Sequence, residues 1–289
     1  MLPSPPPLPS PPPLPSPPPL PRTLTGTVLG RNGLNLRVAP VNGAIIQRLP
    51  YRSTVEIVGA QPQAGTNYIW ANVNTNAGAS GWVRTDFLSI AGDGTALGLS
   101  RGDEYPAPMT NYWWVRGFTL GQNPGEADHW GWDFGAEVGE AVRSGPKGGR
   151  VIGVLTCTRC TPARPNVLSQ GLNLNDPNVL NDPAWGFGYG HSVIVRYLND
   201  QLPASTQQRL RDRNQAGYHV FVIYAHLSRV DVAVGDEFST ATVIGACGNT
   251  GNSSAPHLHL EVRAGADADE TQWFQLRAGL TDPGLLFLR

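Results

Sequence analysis

Apolar residues in this chain recur at two-residue spacing or in short unbroken runs, and seldom at the three- and four-residue spacing of an amphipathic helix. From Thr23 to Ile90 the runs TGTVLG, LNLRVAP, AIIQRLP, TVEIVGA, YIWANV and GWVRTDFLSI follow at short intervals, rich in Val and Ile and divided by turn residues. That pattern predicts short strands closing into a small barrel or sandwich. Further on, RVIGVLT, HSVIVRY, HVFVIYAHL and HLHLEVR predict a second, antiparallel and mostly β unit. One short helix is predicted over 204–213 (ASTQQRLRDR), with Ser205 or Thr206 capping its start. The fold class read from the pattern is mainly β, in two parts.

Two stretches fall outside the pattern. Residues 3–20 are three copies of PSPPPL, which cannot build a packed core and predict a disordered, extended Pro-rich spacer over 1–22. Residues 91–105 (AGDGTALGLSRGDEY) are glycine-rich and weakly patterned, and read as a hinge. The expected division is therefore 1–22 spacer, 23–92 barrel, 93–105 linker and 106–289 second domain. Between RVIGVLT and HSVIVRY lies an insertion over about 157–187, and a loop of that length without structure is uncommon and often functional.

Composition adds limits. Gly (34) and Pro (27) are abundant and charged residues make up only 15%, which suits loop-rich β structure. A net charge of −1 argues against a nucleic-acid partner. The charge is uneven: residues 1–92 carry six arginines against Glu56 and Asp86, a balance of +4 that leaves −5 for the remainder. A basic module of that kind suits contact with an anionic polymer, and equally a set of solvated arginines. No run of about twenty apolar residues occurs, so no transmembrane segment is expected, and no signal-peptide pattern is visible. Cys157 and Cys160 form one C-x-x-C without the second pair of a zinc ribbon, leaving a local disulfide and two free thiols equally open. Cys247, between Ala246 and Gly248, reads as a small buried apolar residue.

The chemistry concentrates in the histidines, of which there are six. His257 and His259 in HLHLEVR are two apart and project to one side of a strand. His129 and Asp133 in HWGWDFG are four apart and also share a side. Two or three imidazoles and a carboxylate, with an open position for water, form a recurring zinc set. Spacing leaves open which of His257 and His259 binds the metal.

The surrounding motifs carry a family resemblance. His129 and Asp133 in H-x-x-x-D, the GYG of Gly188 to Gly190, Tyr224 and His226 in Y-x-H, and GNTGNSSAP leading into HLHLEVR resemble the lysostaphin-type zinc endopeptidases, in the same order over nearly all of 106–289. GLNLRVAP, RLPYRSTVEIV and GWVRTDFL resemble the bacterial SH3-like domain that accompanies wall hydrolases. The resemblance implies an SH3-like barrel followed by an antiparallel zinc peptidase domain, with one Zn2+ held by His129, Asp133 and His259. It makes His226 and His257 the catalytic histidines. It further implies hydrolysis of peptide cross-links in bacterial peptidoglycan by a wall-associated or extracellular monomer, which the SH3-like domain helps to hold on the wall. The alternative is a non-catalytic wall-binding or regulatory protein on the same fold. No H-E-x-x-H is present, so a peptidase of that kind is excluded.

Other residues receive weaker expectations. Regular alternation in YHVFVIYAH puts Tyr218, Val220, Val222, Tyr224 and His226 on one face and His219 on the other, so His219 and the lone His191 read as structural. Tyr68, Trp70 and Trp82 are candidates for a binding face, with core packing the default. Trp130 and Trp132 are candidates for a cleft lining, Trp185 and the insertion for a cleft wall, and Gly131 for a tight chain path beside the metal.

Overall fold

A computed structural model describes residues 23–266 and 279–289, so the Pro-rich spacer expected over 1–22 lies outside the described residues. Seven strands make the first unit: β1 (Thr25–Val28), β2 (Leu34–Arg37), β3 (Ile45–Leu49), β4 (Thr54–Pro62), β5 (Ile69–Thr75), β6 (Ser80–Arg84) and β7 (Leu88–Ala91). They pair in the order β3-β2-β6-β5-β4-β1-β7. Alternate residues such as Leu34 and Leu36, Val55 and Ile57, and Ala71 and Val73 point inward and share one core with Leu88. That inward alternation is what fixes the register of such short strands.

The second unit contains β8 (Trp113–Arg116), β9 (Gly131–Gly135), β10 (Ala141–Arg143), β11 (Gly149–Leu155), β12 (His191–Tyr197) and β13 (His219–Leu227). It continues with β14 (Arg229–Val230), β15 (Glu237–Phe238), β16 (Val243–Ala246), β17 (His257–Gly265) and β18 (Leu280–Thr281). The large antiparallel sheet runs β15-β11-β12-β13-β17-β9-β8, with β18 on β17, and a small sheet runs β10-β16-β14. Alternation along the central strands makes two faces. Val220, Val222 and Tyr224 on β13, with Leu258, Leu260 and Val262 on β17, enter the main core. Phe221, Ile223 and Ala225 face the other way with Ile152 and Ile194. His257, His259, Glu261 and Arg263 share that second face, because His259 pairs with Ala225 and Glu261 with Ile223.

The expected helix is present as α2 (Ala204–Asp212), after the one-turn α1 (Pro177–Leu180). Its cap differs from expectation. Pro203 takes the N-cap position without a side-chain bond, and Asp103 supplies the acceptor instead, taking the Ser205 N–H at 2.9 Å. Thr206 is unavailable because it is buried and its hydroxyl donates to the Leu285 carbonyl at 2.8 Å. The glycine-rich stretch read as a hinge is thus tied down. Besides Asp103, its Arg101 donates to the Gly284 and Leu285 carbonyls at 3.0 and 3.1 Å, and Tyr105 packs in the main core.

The barrel is seated on the larger sheet. Trp114 N–H donates to the Leu29 carbonyl at 2.9 Å, and Leu29 itself packs in the main core. Tyr51 donates to the Tyr112 carbonyl at 2.7 Å, Asn67 to the Phe118 carbonyl at 3.1 Å, and the Arg31 guanidinium lies 4.1 Å over the Trp113 ring. Among the described residues no helix is long and apolar enough to cross a membrane.

The insertion is folded rather than structureless. Cys157, Val167, Val179 and Trp185 form a small core of their own, Cys157 and Cys160 are joined by a disulfide, and Asp176 and Asp182 cap its short helical turns. Trp185 is buried inside this pad, not exposed as a cleft wall, because the pad needs its ring as core.

Candidate metal centre

Strand pairing brings the distant motifs together. β9 and β17 lie side by side with Asp133 opposite His259, and Asp133 Oδ1 is 2.9 Å from His259 Nδ1. Asp133 Oδ2 is 3.1 Å from His129 Nε2, while His129 Nδ1 donates to the Gly117 carbonyl at 2.7 Å. A carbonyl oxygen cannot donate, so that bond fixes the proton on Nδ1 and leaves Nε2 facing the carboxylate. The donor atoms of His129, Asp133 and His259 all lie within 4.8 Å of one another. Two imidazole nitrogens and an oxygen converging in this way need a proton or a cation between them, and the donor set fits zinc. Gly131 permits the arrangement, since a Cβ there would lie 2.3 Å from the Leu260 carbonyl oxygen and 2.9 Å from the His259 ring.

The electrostatics agree with a cation site. Burial opposes the charge on Asp133, yet hydrogen bonds with His129 and His259 and the nearby His257 hold its carboxyl well below the usual range. Burial likewise lowers His259, but bonds to Asp133 and Glu261 outweigh it and push the pKa up to about 9.

Two more imidazoles face the same cleft. His226 Nδ1 donates to the Thr250 carbonyl at 2.7 Å, and His257 Nδ1 to the Ala255 carbonyl at 2.8 Å. Both rings therefore turn Nε2 outward, with centroids 4.7 Å apart. Burial lowers the pKa of both, which keeps them neutral at physiological pH. The placement of His226 differs from simple alternation. Regular parity would send it into the main core with Tyr224, but its φ of +63° turns the side chain to the cleft face. A left-handed histidine costs about 1–3 kcal/mol and is held only where its surroundings demand it. Here the demand comes from its N–H, which donates to the Tyr189 carbonyl at 2.9 Å, and from its Nδ1 bond to Thr250.

Beneath the centre lies a charged ladder that the sequence reading passed over. Glu261 accepts from Arg263 Nε at 2.5 Å and from the Tyr189 hydroxyl at 2.8 Å, and its carboxylate is 3.5 Å from His259 Nε2. Both Glu261 and Arg263 are buried. The signal was available, since they follow His259 by two and four residues on one strand face. The remaining histidines hold backbone: His191 Nδ1 accepts from Cys157 N–H at 3.2 Å and His219 Nδ1 from Asn199 N–H at 3.1 Å.

The centre opens into a cleft of about 520 Å³, lined on one side by Trp130 and on the other by Leu174, Leu180 and Phe187 of the insertion. Trp132 is not part of it. At 2% exposure it packs edge-on against Trp114 and Phe134, because the residue next to Asp133 on a strand must face the opposite way. In the barrel Trp70 is buried and bonded to Gln63 at 2.8 Å, while Tyr68 and Trp82 are half-buried.

Comparison with known proteins follows the same division. Residues 212–271 match peptidase family M23, a span that takes in His226, His257 and His259 but not His129 or Asp133, and residues 32–89 match the bacterial SH3 domain. Over 38 residues, 13% of this chain, the sequence is 50% identical to glycyl-glycine endopeptidase ALE-1 of Staphylococcus capitis, and the matched stretch spans 10% of that relative. Among solved structures, the catalytic domain of the antimicrobial peptidase lysostaphin from Staphylococcus simulans is 22% identical with a TM-score of 0.35, covering 60% of this chain and 89% of that one. A zinc-containing peptidase from Vibrio cholerae is 15% identical with a TM-score of 0.34, covering 70% of this chain and 56% of that one.

Proposed function

We propose that this chain, in which a bacterial SH3 domain precedes a domain of peptidase family M23, is a zinc-dependent endopeptidase that hydrolyses peptide cross-links of bacterial peptidoglycan. The SH3 domain, over 23–92, helps hold the enzyme on the wall, residues 93–105 connect, and 106–289 carry the chemistry. The observation that carries this reading is the gathering of five side chains at one cleft. The donor atoms of His129, Asp133 and His259 lie within 4.8 Å of one another, while His226 and His257 turn Nε2 to the same cleft, that of His257 lying 3.7 Å from Asp133 Oδ1.

His129, Asp133 and His259 would hold one zinc ion with a position left open. Bound there, zinc supplies Lewis acidity, polarising the scissile carbonyl and making water acidic enough to attack near neutral pH. His226 and His257 enter the reaction neutral, so between them they can take a proton from the attacking water and donate to the developing oxyanion or the leaving amine. Their Nδ1–H bonds to Thr250 and Ala255 keep the rings from rotating and support an imidazolium when one forms. Such an enzyme works outside the cell or on its wall, and the Cys157–Cys160 disulfide suits an oxidising compartment.

The test is direct. The purified chain is expected to hold one zinc per molecule and to release new amino termini from isolated walls. The panel should begin with walls cross-linked through glycyl-glycine bonds, the bond named for the Staphylococcus capitis relative. His226→Ala should keep its zinc and lose about 100-fold or more in rate. A wild-type protein without stoichiometric zinc that releases no peptide ends would instead be a non-catalytic wall binder.

A further inference from the structure

The Cys157–Cys160 disulfide does not line the metal cleft, yet both cysteines hold the loop that orients His226. Thr250 is the meeting point. It is buried, and its carbonyl accepts the His226 Nδ1–H at 2.7 Å. From one side, Cys157 N–H donates to His191 Nδ1 at 3.2 Å, and His191 N–H donates to the Thr250 hydroxyl at 3.0 Å. From the other side, the N–H of the next residue, Gly251, donates to Cys160 Sγ at 3.3 Å. The second acceptor of that N–H, the Pro165 carbonyl at 3.2 Å, also belongs to the insertion. The loop has no slack to absorb a shift. A Cβ on Gly251 would lie 2.4 Å from the Gly190 nitrogen, and one on Gly190 would lie 2.3 Å from the Thr250 hydroxyl.

The covalent link matters because the core it closes is small. That core is Cys157, Val167, Val179 and Trp185, with Cys160 packed against them, and so few buried side chains need a cross-link to stay assembled. Reduction breaks the S–S bond and forms two S–H groups, taking two electrons and two protons from a dithiol that closes its own disulfide. Two thiol sulfurs cannot stay at bonding distance. Cys157 is 2% exposed and locked in the core, so the half-buried Cys160 is the one that moves. Its Sγ then leaves the Gly251 N–H.

We propose that the Cys157–Cys160 disulfide is a redox-set positioning element for His226. Oxidised, it locks Thr250 and holds the imidazole toward the cleft; reduced by a dithiol, it releases the loop and slows the reaction while zinc stays bound. The proposal rests on the endopeptidase reading and deepens it, by tying the rate of that site to an oxidising compartment. Zinc is retained because His129, Asp133 and His259 come from β9, β17 and the segment before β9, outside the insertion.

The zinc-loaded full chain, carrying isotope-labelled histidine, tests this by NMR and by wall cleavage. A water-soluble phosphine, which becomes its oxide with the oxygen of water, replaces dithiols as reductant because dithiols bind zinc. The Nδ1–H signal of His226, assigned by its loss in His226→Ala, should broaden or shift on reduction. That of His129, bonded to Gly117, should not. The kcat for cleavage is expected to fall about tenfold or more with KM changed by less than about twofold. Zinc content should hold, and reoxidation should restore the rate. A Cys157→Ala/Cys160→Ala chain, shown to be folded by thermal unfolding, should match the reduced protein and ignore the phosphine. An unchanged His226 signal and rate in protein whose thiols titrate as fully reduced would overturn the proposal. So would a double variant as fast as oxidised wild type. Loss of zinc along with the rate would overturn it too, by placing the support at the ligands. Cleavage indifferent to reduction defeats this inference alone, whereas a responsive His226 signal without cleavage in either state defeats the endopeptidase reading.

Discussion

Burial lowers the pKa of His259, yet carboxylates at both ring nitrogens, Asp133 and Glu261, reverse the effect and push the value up to about 9. A proton therefore occupies the ring at neutral pH in the metal-free protein, and zinc must displace it. Loading zinc at pH 7 is expected to release about one proton, and apparent affinity should rise about tenfold per pH unit until near pH 9. Titration in buffers of different ionisation enthalpy measures this, and zinc binding without proton release would contradict the assignment of His259 as a ligand. The same raised pKa means that the protonated ring stabilises the metal-free fold fully below about pH 6.5. That contribution is lost as pH rises through about 9. At the level of single residues, the spacings of His129 with Asp133 and of His257 with His259 pointed to side chains that the fold brings to one cleft. His226 was not legible by alternation, because parity counts residues and cannot see the φ of +63° that turns this one over. The Gly117, Thr250 and Ala255 carbonyls that orient the rings were illegible for a simpler reason. Every residue has a carbonyl, so no residue type marks them.

Elements explain how the site is held. β17 carries His259, then Glu261, then Arg263 on one face, and the last two are buried and bonded to the Tyr189 hydroxyl. Removing one member of a buried ion pair typically costs about 3–5 kcal/mol. Glu261→Ala should therefore destabilise the domain by about that amount in urea unfolding, even with zinc absent from wild type and variant alike. A loss below about 1 kcal/mol would mean that the Glu261–Arg263 pair adds little to the fold. The insertion supports the opposite side. Val167 N–H donates to the Gly251 carbonyl at 3.0 Å, and Asn175 exchanges bonds with the Asn252 side chain at 2.9 and 3.1 Å. This is the loop whose Thr250 carbonyl fixes His226. Deleting about 165–183 should therefore retain zinc, since no ligand lies there, but lower the rate by about tenfold or more as well as changing substrate preference. Lost zinc would show that the pad supports the metal ligands themselves. The length of the insertion announced a function, but its internal core did not show in the pattern, because Cys157, Val167, Val179 and Trp185 have no regular spacing.

At the scale of the whole molecule, the two β units were readable as separate blocks of short strands, and their mutual seating was not. The contacts that join them are single residues far apart in sequence: Leu29 with Trp114, Tyr51 with Tyr112, Asn67 with Phe118. Nothing in local hydropathy distinguishes these from ordinary surface positions, and the glycine-rich stretch between the units reads as free chain until Asp103 and Arg101 are found holding α2 and the C-terminal segment. The seating has a measurable consequence. Units joined only by a flexible hinge unfold independently, whereas a shared core makes them one cooperative system. Because Leu29 of the barrel packs in the core of the larger domain, calorimetry of the full chain should give a single transition. Leu29→Ala removes that shared contact, at a cost of about 2–5 kcal/mol for a buried leucine, and should lower the midpoint and separate the barrel's melting from the rest. Two transitions in the wild type, with Leu29→Ala moving only one of them, would mean that the barrel behaves as a tether.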